Sequence, residues 1–384
     1  MKRAARAAAF CTMASVLRTV PRALPLLPVA QDAKTAKLFS RGVARRGQIR
    51  ETIVSRSHVI LSSLVGASGI AVAAAGQGPE ARIEVPKVER EGVWQPAAEG
   101  EQIPLWAASV ALAKPDSGDH PEATGNGSPL VGGRKWHWAS YVTRPTMTIY
   151  KPKVRNTGSA VMVVPGGGFH AVATDLEGTE ICDWVVQQGM TCVVLKYRTP
   201  QLWPRRNGVS QRPKVLLALE DAQRAMGLLR QGASAYGIDP NKIGVLGFSA
   251  GAYVAAEMSN TVERTYPLAD PADRQSPRPD FAIIAYTARM LDNSKGKNSL
   301  DLQPWVKISP DAPPTLIVHA MDDPVDDIRH PMAYALALKE AGVPVDLRVY
   351  AKGGHAFGMR PTSDPITTEW PGQVGQWLGN LGML

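Results

Sequence analysis

The sequence predicts an α/β fold, a mostly parallel and doubly wound sheet with helices on both faces. From about residue 145 onwards, short apolar runs of strand length alternate with segments whose apolar residues recur at helical spacing. This alternation is typical of parallel strands joined by crossover helices. The 384 residues are 44% apolar and 20% charged. This composition supplies a sizeable core and excludes a wholly disordered, low-complexity or collagen-like chain.

The predicted elements follow one another without an internal repeat. The strands are short apolar runs, and the helices carry apolar residues three or four positions apart. The clearest helix, 215–230, ends before Gly232. The predicted strands are 147–151, 160–164, 192–197, 243–246, 281–286, 315–319 and 345–350, and the predicted helices are 176–188, 215–230, 250–259, 331–341 and 370–381.

The positive charge of the chain lies in its first 58 residues. The whole chain has a net charge of +9, of which residues 1–58 supply +10 through twelve Lys or Arg against two acids. The remaining residues therefore carry a net charge of −1. Because this body has no excess of basic residues to neutralise phosphates, we expect no nucleic-acid partner.

Residues 1–78 are predicted to be a basic leader followed by a signal-like segment. The leader is rich in Arg, Ala and Ser, as in a mitochondrial-type transit peptide. Arg56 then precedes an apolar run, 58–75, whose last three residues are alanines before Gly76, which is the order of parts in a secretory signal. We expect translation to start near Val54 and the product to be secreted or periplasmic, without a stable membrane partner after cleavage. The alternative is a genuine long leader or a single membrane anchor.

Residues 79–140 are predicted to be an extended arm that wraps the main domain, 141–384. The arm is rich in Pro, Gly and Ala and shows no convincing periodic segment. Its tryptophans are interpreted either as neighbours of a binding cleft or as cover for the hydrophobic edges of the sheet. They are Trp94, Trp106, Trp136 and Trp138.

The cysteines Cys11, Cys182 and Cys192 do not form a recognisable disulfide framework in a chain of this length. No Cys/His pair has zinc-finger spacing either. We interpret Cys182 and Cys192 as small apolar core residues.

A G-x-S-x-G motif at 247–251 is the most specific chemical signal. It follows the predicted strand 243–246 and directly precedes the predicted helix 250–259. A serine at such a sharp strand-to-helix turn has strained dihedral angles, so small residues are needed two positions away on either side. The hydroxyl of Ser249 then projects above the sheet at the positive end of a helix, which predicts a nucleophile.

A glycine loop (165–169) follows the predicted strand 160–164. Its three glycines allow the backbone to approach a substrate and to aim N–H groups at it, as an oxyanion hole requires. The loop lacks the Lys-Ser/Thr and GxGxxG patterns of phosphate loops. The predicted donors are the N–H groups of Gly167, Gly168 and Ala250, the last of which follows the serine.

In this kind of fold the residues of a catalytic triad follow one another in the chain order serine, acid, histidine. The candidates for the acid and the histidine therefore lie after Ser249. His355 lies in a glycine-rich loop past the last strand, whereas His319 is interpreted as a packed histidine and His330 as a helix cap or a solvent-facing residue. Several aspartates follow strand 315–319. Asp323 is predicted to be the acid and Asp322 is the alternative, while Asp326 and Asp327 are interpreted as solvated or helix-terminal carboxylates.

The residues from about 140 to the end resemble the α/β-hydrolase superfamily, and within it the acetyl-xylan and feruloyl-type esterases often labelled xylanase- or dienelactone-hydrolase-like. Two positions depart from related patterns: Ala252 replaces a glycine frequent after the serine turn, and Pro165 replaces the histidine of lipase-type H-G-G-G loops. The matching stretches are VVPGGGFH (163–170), DLEGTEICDW (175–184), VVLKYRTP (193–200), ALEDAQRAM (218–226), GIDPNKIGVLGFSAGAYVAA (237–256), PDFAIIAYTA (279–288), HAMDDPVDD (319–327), YALALKEAGVPVDLRVY (334–350) and KGGHAFGM (352–359).

The resemblance implies the α/β-hydrolase fold, a triad of Ser249, Asp323 and His355, and no metal or other cofactor. It also implies secretion and the removal of short acyl groups, above all acetyl, from polysaccharide. We therefore expect an acylated carbohydrate or another small ester as the substrate. Weaker candidates for substrate binding are His170, Asp175, Glu177 and Trp203.

Two other classes of function stay open from the sequence. A serine peptidase of the prolyl-oligopeptidase type has its catalytic residues in the same chain order, although the chain has no room for the propeller domain of that class. A binding module without catalysis is the second alternative, and the presence of every triad element argues against it.

Overall fold

The structure, a computed structural model, describes residues 88–97, 100–116, 120–206, 209–296 and 298–384. The leader and signal-like segment predicted over 1–78 lie outside these residues, as does the beginning of the predicted arm. Within the described ranges, no helix is both long and apolar enough to cross a membrane.

The described residues form fourteen strands and six α-helices. The strands are β1 (Arg90–Glu91), β2 (Glu101–Pro104), β3 (Ala123–Val131), β4 (Arg134–Ser140), β5 (Thr146–Tyr150), β6 (Ala160–Val164), β7 (Ala171–Ala173), β8 (Thr191–Lys196), β9 (Arg205–Arg206), β10 (Val209–Ser210), β11 (Ile243–Phe248), β12 (Ala282–Ala285), β13 (Thr315–Ala320) and β14 (Val345–Tyr350). The helices are α1 (Glu180–Gln187), α2 (Leu217–Gln231), α3 (Ala233–Tyr236), α4 (Ala250–Asn260), α5 (Arg329–Glu340) and α6 (Ile366–Asn380).

Eight strands form the central sheet in the order β2-β5-β8-β6-β11-β12-β13-β14. Strands β8, β6, β11, β12, β13 and β14 run parallel to one another, whereas β5 pairs in the antiparallel sense with both β2 and β8. The prediction of a mostly parallel α/β sheet is therefore confirmed. Because the parallel strands end at one edge, the loops after β6, β11, β12, β13 and β14 come together there.

Successive side chains of the central strands enter two separate cores. Along β6, Ala160, Met162 and Val164 pack into a core that also contains residues of α2, α4 and α5, whereas Val161 and Val163 pack into a core with residues of α1 and α6. This alternation follows from the two-residue period of a strand. Because both faces are covered, the central strands consist of almost uninterrupted apolar residues. The prediction of helices on both faces is confirmed.

The described part of the predicted arm contains regular strands, although its sequence shows no periodic segment. Strand β2 pairs with β5 at the edge of the central sheet, and β3 and β4 form a hairpin in a second, antiparallel sheet of order β1-β3-β4-β7. Gly132 and Gly133 make the hairpin turn with positive φ angles of 54° and 73°, values that fit a two-residue turn. The apolar pattern of the sequence did not indicate these strands, because they carry Gly, Pro and polar residues.

The tryptophans of this segment lie mostly inside the protein. Trp138 is fully buried and Trp106 nearly so, while Trp94 and Trp136 are half-buried. The Trp106 indole N–H donates to the buried carboxylate of Asp221 at 2.9 Å. For Trp106 and Trp138, these positions favour the interpretation as cover for the sheet.

The interpretation of Cys182 and Cys192 as free core residues is also corrected. The two form a disulfide bond, with Cα atoms 5.3 Å apart. Cys182 lies on α1 and Cys192 on β8, and both side chains point into the core between that helix and the central sheet. The pairing was missed because only the packing of α1 on the sheet brings the two residues together.

Several of the predicted helices begin at other residues in the structure. The helix predicted over 176–188 begins only at Glu180, because Asp175–Thr179 forms a π-helical turn. Helix α5 begins at Arg329, two residues ahead of the predicted start. Helix α6 begins at Ile366 and includes Pro371.

Candidate active site

Ser249 occupies the sharp turn between β11 and α4. Its backbone angles are φ 51° and ψ −116°, a conformation that is strained for a residue with a side chain. A Cβ atom at Gly247 would lie 2.2 Å from the carbonyl oxygen of Gly251, and one at Gly251 would lie 1.9 Å from that of Val164. Only glycine fits at both positions, which is the physical reason for the G-x-S-x-G pattern.

The structure brings His355 and Asp323 to this serine from two later loops. His355 follows β14, and its Nε2 atom lies 3.1 Å from Ser249 Oγ. Its Nδ1 atom lies 2.8 Å from Oδ2 of Asp323, which follows β13. With Nδ1–H donated to the carboxylate, Nε2 is free to accept the serine proton.

The buried carboxylate of Asp323 is held by the turn that carries it. Its side chain is fully buried, and Oδ1 accepts the backbone N–H groups of Val325 and Asp326 at 2.8 and 2.9 Å. These bonds fix one oxygen and leave the other for His355. They also satisfy a charge that would be costly to bury alone.

The other aspartates of this loop have different partners. Asp322, the alternative acid, accepts the backbone N–H of Gly354 at 2.9 Å and so supports the loop of His355. The Asp326 carboxylate is 3.7 Å from His355 Nδ1, beyond hydrogen-bond distance. Asp327 is exposed and pairs with Arg329 at 2.9 Å.

The two other histidines after Ser249 hold backbone atoms. His319 is fully buried, as predicted, and its Nε2 donates to the carbonyl oxygen of Asp326 at 2.9 Å. His330 Nδ1 accepts the N–H groups of Met290 and Leu291, both at 3.1 Å. His330 is half-buried and binds N–H groups outside α5, so the prediction that it caps a helix or faces solvent is wrong. Burial lowers the pKa of His330 to about 4.

The glycine loop lies beside the serine. A Cβ atom at Gly166 would lie 2.9 Å from that of Ser249, which shows how closely the loop approaches the nucleophile. Gly167 and Gly168 have positive φ angles of 125° and 62°. Among the described residues, the N–H groups of Gly167, Gly168 and Ala250 have no hydrogen-bond acceptor. Unpaired donors beside a nucleophile can stabilise a developing oxyanion.

The electrostatic surroundings favour the charged form of His355. Burial alone lowers the pKa of His355, but the hydrogen bond to Asp323 and the negative charges of Asp326, Asp323 and Glu177 outweigh it. The pKa is therefore raised above its ordinary value of 6.5. A base of raised pKa accepts the serine proton more readily, provided that it starts neutral.

Two of the weaker substrate-binding candidates are engaged in the protein framework. Glu177 is buried at 2% exposure beneath the glycine loop, so the expectation that it faces the cleft is wrong. Asp175 accepts the backbone N–H of His137 at 2.7 Å and pairs with Arg360 at 2.9 Å.

The other two candidates lie beside the glycine loop. His170 is half-buried, and burial together with the charge of Arg289 lowers its pKa. The Trp203 ring lies 5.5 Å from the ring of Phe169, the last residue of the loop, and 4.2 Å from the guanidinium carbon of Arg289. The loops that carry Trp203 and Arg289 thus converge next to the candidate oxyanion site.

Two residues important for the arrangement were not singled out from the sequence. Tyr286 follows β12, and its ring lies 5.0 Å from that of His355. Arg360 follows His355 by five residues and is nearly fully buried, where it binds Asp175, Glu180 and backbone carbonyl oxygens of the β3–β4 hairpin. For Tyr286, the position directly after a parallel strand is a sequence signal that it lies near the site. The sequence around Arg360 contains no such signal.

No group of three or more His, Cys, Asp or Glu side chains in the described ranges is arranged to hold a metal ion. Ser249, His355 and Asp323 have the arrangement of a nucleophile with its base and its acid.

The class of the protein follows from this fold and from comparison with known proteins. Residues 161–359 match a protein family described as alpha/beta hydrolase fold, and the chain belongs to this family. A solved structure, the acetyl ester-xyloside bifunctional hydrolase of Caldicellulosiruptor lactoaceticus, is 27% identical, with a TM-score of 0.56 over 74% of this chain and 97% of that chain. The esterase Est2 of the Planctomycetes species Thermogutta terrifontis has a TM-score of 0.52 at 22% identity, over 64% of this chain and 94% of that chain, and supports the fold alone.

Among curated proteins, the similar sequences include enzymes that act on xylan by name. The acetylxylan esterase of Xylanibacter ruminicola is 28% identical over 248 residues, which are 59% of this chain and 46% of that protein. The endo-1,4-beta-xylanase B of Butyrivibrio fibrisolvens is 27% identical over 251 residues, 61% of this chain and 38% of that protein. The match thus spans less than half the length of either relative.

Proposed function

We propose that this protein is a serine carboxylesterase that removes short acyl groups, with acetyl groups on polysaccharide as its substrate class. The observation that carries the proposal is the chain of contacts from Asp323 through His355 to Ser249. It is supported by the unpaired N–H groups of the glycine loop at the same place. A nucleophile, a base, an acid and oxyanion donors are the parts that ester hydrolysis requires.

The proposed reaction begins when Ser249 Oγ attacks the ester carbonyl carbon and gives its proton to His355 Nε2. Asp323 holds the imidazole in the required tautomer and stabilises its positive charge. The oxyanion accepts hydrogen bonds from the N–H groups of Gly167, Gly168 and Ala250. His355 then gives the proton to the departing alcohol, and water hydrolyses the acyl-enzyme by the same route.

The preference for short acyl groups is supported by the segment between α4 and β13. Its described residues carry β12, one isolated bridge and two 3₁₀ turns, Pro271–Arg274 and Asn293–Lys295, and no long apolar helix that could cover the site. Each added CH₂ of an acyl chain stabilises the complex by about 0.8 kcal/mol only if it leaves water. The names of the acetylxylan esterase and of the acetyl ester-xyloside hydrolase above support acetyl groups on a xylan-type polysaccharide as the substrate.

We also propose that the protein works outside the cytoplasm. The Cys182–Cys192 disulfide supports this location, because disulfides persist mainly in oxidising compartments. The signal-like sequence at 54–76 supports it independently. N-terminal sequencing of the mature protein tests the proposal, and a mature start before residue 60 contradicts cleavage at the predicted place.

The function is tested with a fluorophosphonate probe and a substrate panel of p-nitrophenyl acetate, acetylated xylan and aminoacyl p-nitroanilides. We expect the wild-type protein to be labelled and to cleave the acetyl esters, and Ser249→Ala to lose both properties. Ser234→Ala, which changes an exposed serine of α3, is the matched control and should behave as the wild type. Labelling that persists in Ser249→Ala refutes the nucleophile, and cleavage of the anilides in preference to the esters identifies a peptidase.

A further inference from the structure

In the proposed reaction the carboxylate of Glu177 neither forms a bond to the substrate nor transfers a proton. It nevertheless lies close to the residues that do. It belongs to the π-helical turn after β7 and is buried at 2% exposure. Oε2 accepts the N–H of Gly166, in the glycine loop, at 2.7 Å. Oε1 accepts the O–H of Tyr286 at 2.8 Å. Burying an ionised carboxylate costs folding free energy. A carboxylate buried between two parts of the site therefore suggests a role in the function.

The two contacts suit a carboxylate that is ionised. Each oxygen faces one donor, and a protonated carboxyl group would direct its own hydrogen at Gly166 N–H or displace the Tyr286 hydroxyl hydrogen. Burial raises the pKa of Glu177, while the Tyr286 hydrogen bond, the charge of His355 and the Gly166 N–H lower it in part. Burial and the Glu177 charge raise the pKa of Tyr286 far above its ordinary value, so that the phenol keeps the proton it donates.

Tyr286 in turn packs against the histidine. Its backbone has a positive φ of 38°, a strained conformation for an aromatic residue. Its ring meets that of His355 edge-on at 5.0 Å and that of Phe357 at 4.6 Å. The hydrogen bond from the Tyr286 hydroxyl to Glu177 fixes the position of the Tyr286 ring. It thereby also fixes the surface against which the His355 imidazole packs.

We propose, building on the esterase function above, that Glu177 is a positioning residue for that reaction, holding the glycine loop through Gly166 and the support of His355 through Tyr286. One carboxylate thereby sets the distance between the oxyanion donors and the base. Such distances decide rates, because displacement of a reacting group by about 1 Å costs about 100-fold in rate.

The negative charge of Glu177 also acts on His355. The charged and titratable groups that face the imidazole are Asp323 and Asp326 from the loop after β13, His319 from β13, Tyr286 from the loop after β12, and Glu177. The Glu177 charge is among those that raise the pKa of His355. Since the base must be neutral to act, removal of this charge shifts the acidic limb of the pH profile to lower pH.

The test compares Glu177→Gln with the wild type. Glutamine has the same shape, and its amide can accept from Gly166 and donate to Tyr286, so the charge is removed with least disturbance. We expect the acidic limb of kcat/KM for p-nitrophenyl acetate to move down by about 0.5 pH unit or more. Asp183→Asn, which removes an exposed charge on α1, is the matched control and should leave the limb in place.

Two further measurements separate positioning from a purely structural role. Tyr286→Phe keeps the ring and removes the contact to Glu177, and should lower kcat at least about tenfold with KM changed less than about threefold. Active-site titration with the fluorophosphonate corrects each rate for the folded fraction. An unmoved acidic limb in Glu177→Gln, or an unchanged kcat in Tyr286→Phe, overturns the proposal.

The proposal can fail separately from the esterase function. The titration of the His355 ring, followed by NMR of its Cε1–H group, needs no turnover and should show a lower pKa in Glu177→Gln than in the wild type. If the wild type hydrolyses esters and this pKa is unchanged, only the role of Glu177 is refuted. If the wild type is inactive and unlabelled, the esterase function fails, and a lowered pKa still supports the coupling of Glu177 to His355.

Discussion

At the scale of single residues, adjacent aspartates in one loop have different tasks. Asp323 is buried against His355, whereas Asp322 is exposed and accepts a backbone N–H of the histidine loop. We expect Asp323→Asn to lower kcat by about 10⁴, since the amide imposes the wrong tautomer on the histidine. Asp322→Asn keeps an oxygen that can accept from Gly354 and should cost less than about tenfold. Steady-state kinetics on p-nitrophenyl acetate measures both, and the opposite order would make Asp322 the acid.

The sequence allows a residue to be predicted when its catalytic role depends on a motif. It does not allow this when the role depends only on where the folded chain buries the side chain. Ser249 and His355 lie where the strand-end pattern predicts them, and the structure brings both together with Asp323. Glu177 was a weaker candidate for substrate binding, in a loop expected to face the cleft. Its burial depends on how the π-helical turn directs the side chain beneath Gly166, and no local pattern encodes that direction.

At the scale of elements, the Cys182–Cys192 bond fastens α1 to β8 directly after the turn that carries Glu177. Closing a loop of this size stabilises the folded state by about 2–3 kcal/mol in the chain-entropy description. We expect Cys182→Ala combined with Cys192→Ala to lower the free energy of unfolding by about that amount in urea titrations. The control is a reductant, which should lower the midpoint of the wild type but not that of the double variant. Equal sensitivity of both proteins would contradict the prediction.

The central strands and helices were predictable because their apolar periodicity is strong. Of the seven predicted strands, β6 and β14 have the predicted bounds, and the other five differ by one or two residues at an end. Strands β2 to β4 were missed, since their stability derives from pairing with partners elsewhere in the chain and not from apolar periodicity. The Cys182–Cys192 disulfide could not be predicted either, because the two residues meet only when α1 packs on the central sheet.

At the scale of the whole molecule, the described residues between 88 and 140 pack against the domain that follows them. Trp106 lies with its ring 6.0 Å from the guanidinium carbon of Arg198 and 5.4 Å from that of Arg224. Glu122 forms a buried ion pair with Lys196 of β8 at 2.6 Å. Removing the segment would leave Lys196 without a counter-charge in the interior, which is strongly destabilising.

We therefore expect a chain that begins at residue 141 to be insoluble or unfolded, and one that begins at residue 88 to unfold cooperatively like the full-length protein. Circular dichroism during heating distinguishes the two. Trp106→Ala is a milder version, for which a loss of about 3–5 kcal/mol of unfolding free energy is expected. The exposed Val93→Ala is its control. A stable, cooperative 141–384 fragment would contradict this expectation.

The contact between Gly251 and Val164 has a consequence for how the substrate range can change. A Cβ atom at Gly251 would lie 1.9 Å from the Val164 carbonyl oxygen, so α4 and the strand leading into the glycine loop cannot slide past each other. Single substitutions therefore cannot change the distance between Ser249 and the N–H groups of the glycine loop in small steps. Directed evolution towards a bulkier ester should accumulate changes in the loops that carry Trp203 and Arg289, which meet beside Phe169, and leave the serine turn untouched.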